Sequence, residues 1–202
     1  MGIHFGVDYY PEHWQRDRWE TDAELMKEMG LTVVRMAEFS WHKLEPQEGK
    51  YDFAWLDDAI DLLGRYGIRT IVGTPTAAPP AWMANRYPEI LPVDREGRVR
   101  GFGGRHHDCQ SNAVYRGFVR KIVTAMAVHY KDNPNVIGWQ PDNELGNSHH
   151  DLCMCESCRK NFQGWLEKKY GTVDRLNEAW GNAFWSQEYN EFSEVFTPRI
   201  TV

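Results

Sequence analysis

This 202-residue chain contains no run of apolar residues long enough to cross a bilayer, which takes about 20 of them. Its start, Met1-Gly2-Ile3-His4-Phe5-Gly6-Val7-Asp8, has neither the basic segment nor the apolar stretch of a secretory leader. No membrane association and a cytoplasmic home are therefore the expectation. Positive charge is also scarce: 23 Lys and Arg stand against 29 Asp and Glu, for a formal net charge of −6, with no basic stripe. That balance argues against nucleic acid as a partner. Phosphate-cradling and dinucleotide-binding glycine motifs are missing, as are fixed-period repeats and low-complexity segments. Cysteine is limited to four residues. In a cytoplasmic chain these are expected to be reduced thiols or metal ligands rather than disulfides.

The composition is 42% hydrophobic and 26% charged, enough to build a core and too apolar for disorder. Nine tryptophans could stack on sugars, but for any one of them burial in a core is the stronger reading. Short β-rich runs alternate with amphipathic helical stretches, the pattern of a parallel sheet. Strands are expected at Ile3 to Asp8, Thr32 to Met36, Arg69 to Gly73 and Val136 to Gln140, where Pro141 ends the last. Between them, Trp19, Ala23, Met26 and Met29 recur at helical spacing up to Gly30. Trp55, Leu56, Ala59, Ile60, Leu63 and Tyr66 do the same up to Gly67. Helices are also expected over Tyr115 to Tyr130 and Cys158 to Tyr170. The proline-bearing stretch from Thr74 to about Asn112 reads as one long irregular, functional loop.

Chemistry concentrates in Gly138-Trp139-Gln140-Pro141-Asp142-Asn143-Glu144-Leu145-Gly146, just beyond the fourth strand. In a (β/α)₈ TIM barrel, catalytic groups converge at the C-terminal ends of the strands. Cleavage of a glycosidic bond needs one carboxylic acid to protonate the leaving oxygen and a second carboxylate across the sugar. Glu144 suits the first role, with partial burial expected to keep it protonated. The Asn143 amide can serve a sugar hydroxyl. Arg35, where the second strand meets its loop, either orients substrate or forms a structural ion pair in the barrel mouth. His106, His107, His149 and His150 read as hydrogen-bonding or surface residues rather than metal ligands. Glu38, Glu45 and Asp52 read as hydrogen-bonding carboxylates of the mouth.

These stretches together resemble glycoside hydrolase family 42, the β-galactosidases. The resemblance runs from Phe5-Gly6-Val7-Asp8-Tyr9-Tyr10-Pro11-Glu12-His13-Trp14, through Arg35-Met36-Ala37-Glu38-Phe39-Ser40-Trp41 and Glu45-Pro46 to Trp55-Leu56-Asp57, and on to Phe184-Trp185-Ser186-Gln187. It implies a retaining enzyme acting on terminal β-D-galactosyl residues, with Glu144 as proton donor and Asn143, Arg35 and Trp185 as substrate-binding residues. It also implies a homotrimer for the complete enzyme.

Cys153, Cys155 and Cys158 crowd within six residues, too close for several unstrained disulfides, and Cys109 lies in the preceding long loop. Four thiolates around Zn²⁺ would make a closed, tetrahedral structural site; unpaired thiols or a single bridge are the alternatives. The spacing matches the family's metal site, and the resemblance therefore implies zinc.

Only four βα units are recognisable, whereas a barrel has eight and runs to about 250 residues. Residues 1–202 are accordingly expected to be the N-terminal part of a barrel domain, truncated before strand five and lacking the nucleophile carboxylate, so inactive alone. A related barrel glycosidase of other sugar preference, or a zinc-braced interaction module, are the competing readings.

Overall fold

Val33, Val34 and Met36 are buried, and Arg35 among them is only half-buried, so the second strand carries apolar side chains on both faces and one cation. This is how a strand of a parallel sheet reads when helices cover one of its faces. The computed structural model describes residues 3–145 and 152–198. Strands β1 (Gly6–Asp8), β2 (Val33–Met36), β3 (Arg69–Gly73) and β4 (Val136–Gln140) form one sheet in the order β1-β2-β3-β4. All neighbours are parallel, with Asp8 opposite Arg35, Arg35 opposite Ile71 and Gly73 opposite Gln140.

Helices α1 (Arg18–Glu28), α2 (Trp41–Leu44) and α3 (Ala54–Arg65) occupy the first two crossovers. Helices α4 (Ala81–Arg86) and α5 (Ala113–Tyr130) lie between β3 and β4, and α6 (Glu156–Tyr170) and α7 (Val173–Trp180) follow. The result is four βα units, the first half of a (β/α)₈ barrel. Leu56, Ala59, Ile60 and Leu63 of α3 and Tyr115, Phe118, Ile122 and Met126 of α5 are buried at helical spacing in one core that also takes Val34, Met36 and Val72 from the sheet. Asn112 starts α5 by accepting the backbone N–H groups of Val114 (2.9 Å) and Tyr115 (3.0 Å). Gly67 ends the turn after α3 at φ +80°, a conformation glycine adopts without steric cost. A smaller cluster of Leu166, Leu176 and Val195 holds α6 and α7 against the segment that follows them.

Two expectations are corrected. The first strand is three residues, not six, and Ile3 is fully exposed. Among the described residues β1 is the edge of the sheet and pairs with β2 alone, and the pairing ends with the Thr32 N–H donated to the Phe5 carbonyl (2.8 Å). The stretch after β3 is not one irregular loop: it holds 3₁₀ turns at Pro75–Ala77 and Pro88–Ile90, with α4 between them. Each proline stands at the start of its turn, where a missing N–H costs nothing. Among the described residues no helix is long and apolar enough to cross a membrane.

Candidate active site and cysteine cluster

The end of β4 is fastened to the end of β3 by hydrogen bonds that run in both directions. Thr74 N–H donates to the Gln140 carbonyl (2.9 Å), and Asp142 N–H donates to the Thr74 hydroxyl oxygen (2.6 Å). The Asp142 carboxylate then accepts the Thr76 hydroxyl on one oxygen and the Asn143 N–H on the other, both at 2.6 Å. Asp142 and Glu144 adopt left-handed backbone, at φ +57° and +51°. Two such residues bracketing Asn143 cost conformational energy that the surrounding bonds must outweigh. The Asn143-Glu144 dipeptide is thereby fixed at the C-terminal rim of the sheet.

Asn143 is buried, and its Nδ2 has no partner among the described residues. Its Oδ1 accepts from Gln140 Nε2 (3.2 Å), and the same Nε2 donates to the Asp142 carbonyl (2.8 Å). Gln140 Oε1 accepts from Arg35 Nη1 (2.7 Å). The remaining donors of Arg35 meet Asp8 Oδ2 (2.8 Å) and Glu38 Oε1 (2.9 and 3.0 Å), so its guanidinium ties β1, β2 and β4 together. Arg35 thus forms the ion-pair network of the mouth, and its side chain is 27% exposed. Glu38 is buried, accepts the Tyr10 hydroxyl (2.9 Å) on the oxygen facing Arg35, and has a second oxygen without a partner among the described residues. Glu45 takes the Trp41 indole and Gly49 N–H groups, both at 2.8 Å, the hydrogen-bonding role expected of it.

The Glu144 side chain is not buried as expected. It is 43% exposed, and Arg105 Nη2 lies 2.6 Å from Oε2. Arg105 was not visible as a site residue in the sequence, because the pair joins two loops and no periodicity marks it. Glu144 and Leu145 also line a cavity of about 700 Å³ with Arg98, Arg100, Cys153 and Cys158, a volume in the range of small-molecule sites. Asp108 lines the same cavity, and burial and then the charge of Asp142 push it up to about 7. His107 is buried and bonded to the Pro79 carbonyl (3.0 Å), in line with a structural role; His149 and His150 lie outside the described residues.

Trp185 stands apart from this network. It is 78% exposed at φ +64°, with its ring edge-on to Phe184 at 5.0 Å between centroids. An exposed, strained aromatic suits a wall whose other face is formed by something else.

The structure brings all four cysteines together. Their sulfurs lie within 4.8 Å of one another, and Cys109 is 3.4 Å from both Cys155 and Cys158. These separations are too long for a disulfide, about 2.05 Å. They suit a tetrahedron of metal–sulfur bonds of about 2.3 Å, whose edges are about 3.8 Å. The Cys109 thiol hydrogen bond holds Cys153 down to about 5 against its own desolvation, with help from the N–H groups of Cys155 and Val93. The same bond pushes Cys109 up. Met154 N–H donates to the Val93 carbonyl (2.7 Å), and Val93 N–H donates to Cys153 Sγ (3.4 Å), so the loop after β4 is stitched to the loop after β3 beside the cluster. The donor set and its spacing fit a zinc ion.

The family model for glycoside hydrolase family 42, described as β-galactosidase, matches residues 8–202. A β-galactosidase of Thermus thermophilus is 54% identical over 197 residues, which are 98% of this chain and 30% of that protein. Among solved structures, the β-galactosidase of the psychrophilic Marinomonas ef1 superposes with a TM-score of 0.92 at 46% identity, over 99% of this chain and 30% of that one. That of the haloarchaeon Halorubrum lacusprofundi gives 0.89 at 47% identity, over 98% and 30%. The chain therefore spans about 30% of the length of the relatives it matches. With the rim of β4 carrying Asn143-Glu144 and a family match over nearly all its length, the chain belongs to glycoside hydrolase family 42.

Proposed function

We propose that the complete enzyme carrying these residues hydrolyses terminal, non-reducing β-D-galactosyl residues by retaining double displacement, with Glu144 as the proton donor. The observation that carries this reading is the Asn143-Glu144 dipeptide, locked at the C-terminal rim of β4 by Asp142, Thr74 and Thr76. Glu144 would protonate the glycosidic oxygen as the bond breaks and afterwards take a proton from the incoming water. Asn143 Nδ2, without a partner among the described residues, would donate to a sugar hydroxyl, and Arg35 and Trp185 would bound the innermost subsite. The nucleophile, a second carboxyl about 5–5.5 Å away in retaining enzymes, would come from residues outside this chain. The 202 residues alone are then expected to show no turnover.

Cys109, Cys153, Cys155 and Cys158 would hold a structural Zn²⁺. A closed four-thiolate site leaves no open position, so its contribution is to brace the two loops beside Glu144. The resemblance to the family supports a homotrimer for the complete enzyme. The reading is tested by following an aryl β-galactoside and its first product by NMR. β-Galactose as the first product is expected. No hydrolysis of any β-galactoside, or α-galactose as the first product, would refute it.

A further inference from the structure

We infer that Gln140 is a positioning residue that sets which end of the Asn143 amide faces the substrate. The inference rests on the proposed placement of the sugar against Asn143 and Glu144. It follows from the direction of three consecutive hydrogen bonds.

A guanidinium has only donors, so the group 2.7 Å from Arg35 Nη1 must be the oxygen of the Gln140 amide. Arg35 cannot turn to offer anything else, since Asp8 and Glu38 engage its other nitrogens. With Oε1 committed, Gln140 presents Nε2 at its other end, where the Asp142 carbonyl, which can only accept, lies 2.8 Å away. Both ends thus dictate one orientation of Gln140. Nε2 also lies 3.2 Å from the Asn143 side chain and demands an acceptor there, so Asn143 turns Oδ1 towards Gln140. Its Nδ2 is left facing away, buried and without a partner among the described residues. A buried amide donor left unmatched is costly, and an acceptor on a bound sugar would relieve that cost. The charge on Arg35 is therefore translated, through one neutral amide, into a donor at Asn143. Gln140 itself touches no reacting atom in this scheme.

Gln140→Glu keeps the shape and reverses the logic. A carboxylate still accepts from Arg35, but its second oxygen, set against the Asp142 carbonyl, would draw Asn143 Nδ2 inwards and leave Oδ1 towards the sugar; a hydroxyl could still pair with that oxygen by donating, whereas a fluorine, which only accepts, could not. The experiment uses the full-length enzyme and a panel of aryl β-galactosides in which each hydroxyl in turn is replaced by hydrogen or by fluorine. In the parent, the hydroxyl paired with Asn143 is the one whose removal penalty disappears in Asn143→Ala. Removing it is expected to cost the parent roughly tenfold in kcat/KM. At that position the fluoro-to-deoxy ratio of kcat/KM should be roughly threefold or more lower in Gln140→Glu than in the parent, while the ratios at the other positions stay within about twofold; the inductive effect of fluorine is common to both enzymes and cancels. Gln140→Met, which removes both hydrogen-bonding ends and frees the Asn143 amide to turn, should move the same ratio in the same direction by less and provides the reading if the glutamate variant does not fold. An unchanged fluoro-to-deoxy ratio at that position in a folded variant, with a uniform loss across the panel, means that Gln140 only supports the loop and overturns the inference. So does an Asn143→Ala enzyme that leaves every penalty unchanged. Failure of the parent enzyme to cleave any galactoside would instead strike the functional reading beneath it, and is seen before any variant is made.

Discussion

Glu38 reaches Arg35 across a space that exists because residue 73 is glycine: a Cβ at Gly73 would lie 2.6 Å from Glu38 Cβ and 2.9 Å from its Cα and N. The obstructing atoms are backbone and Cβ, not the end of a flexible side chain, so relief requires the segment just after β2 to move away from β3. Gly73→Ala is expected to destabilise the protein by about 1–3 kcal/mol, as overpacking in a filled core does. Denaturant unfolding measures it, and an alanine variant as stable as the parent would show that the two strands have slack.

Replacing Glu144 should injure reactions in proportion to their need for a proton on the leaving oxygen. Glu144→Gln in the full-length enzyme is expected to lower kcat/KM for alkyl galactosides by about 10²–10⁴. For a galactoside with a strongly acidic leaving group, such as dinitrophenol, the loss should be much smaller, because that oxygen departs without protonation. Equal losses on both substrates would remove Glu144 from the acid role.

The cysteine cluster predicts metal in protein purified without added metal. About one zinc per chain is expected by elemental analysis. Stripping it with a strong chelator should lower the melting temperature by roughly 5–10 °C, reversibly on return of zinc. Cys155→Ser should reproduce the loss. Since protons compete with the metal for thiolates, retention should weaken as the pH falls. Metal-free protein with an unaltered melting temperature would sink the site.

One surface pair carries a pH dependence of known sign. Arg16, ahead of α1, donates through Nε and Nη2 to the Asp58 carboxylate on α3, the second bond at 2.8 Å. The hydrogen bond from Arg16 holds Asp58 below the usual carboxylate range. A lowered folded value means that the added stability is fully present above the unfolded carboxylate value, about pH 4, and is lost as the pH falls from there through the lower folded one. Both side chains are 46% exposed, so Asp58→Asn should cost only about 0.2–1 kcal/mol at neutral pH and less at high salt. The difference from the parent should close in acid; a gap that persists at pH 2 would assign the effect to packing instead.

Much of this architecture was readable because it lies in local pattern. Pro141 marks the end of β4, and the helical spacing of Leu56, Ala59, Ile60 and Leu63 marks the buried face of α3. The four cysteines announce themselves by crowding. Helix α4 was hidden because prolines flank it on both sides and six residues are too few to show a period. Pairings between distant loops left no local trace: Arg105 with Glu144, or Asp142 with Thr74 and Thr76, exist only once β3 and β4 lie side by side. The exposure of Glu144 was missed for a related reason, since burial at a barrel rim depends on walls built by other segments.

Strand order in the sheet follows chain order, and that has a bearing on how the protein is made. Each strand pairs with the one synthesised immediately before it, so every pairing closes only the loop of a single crossover. A nascent chain can lay down these units one after another while the ribosome is still translating, with no early dependence on sequence yet to emerge.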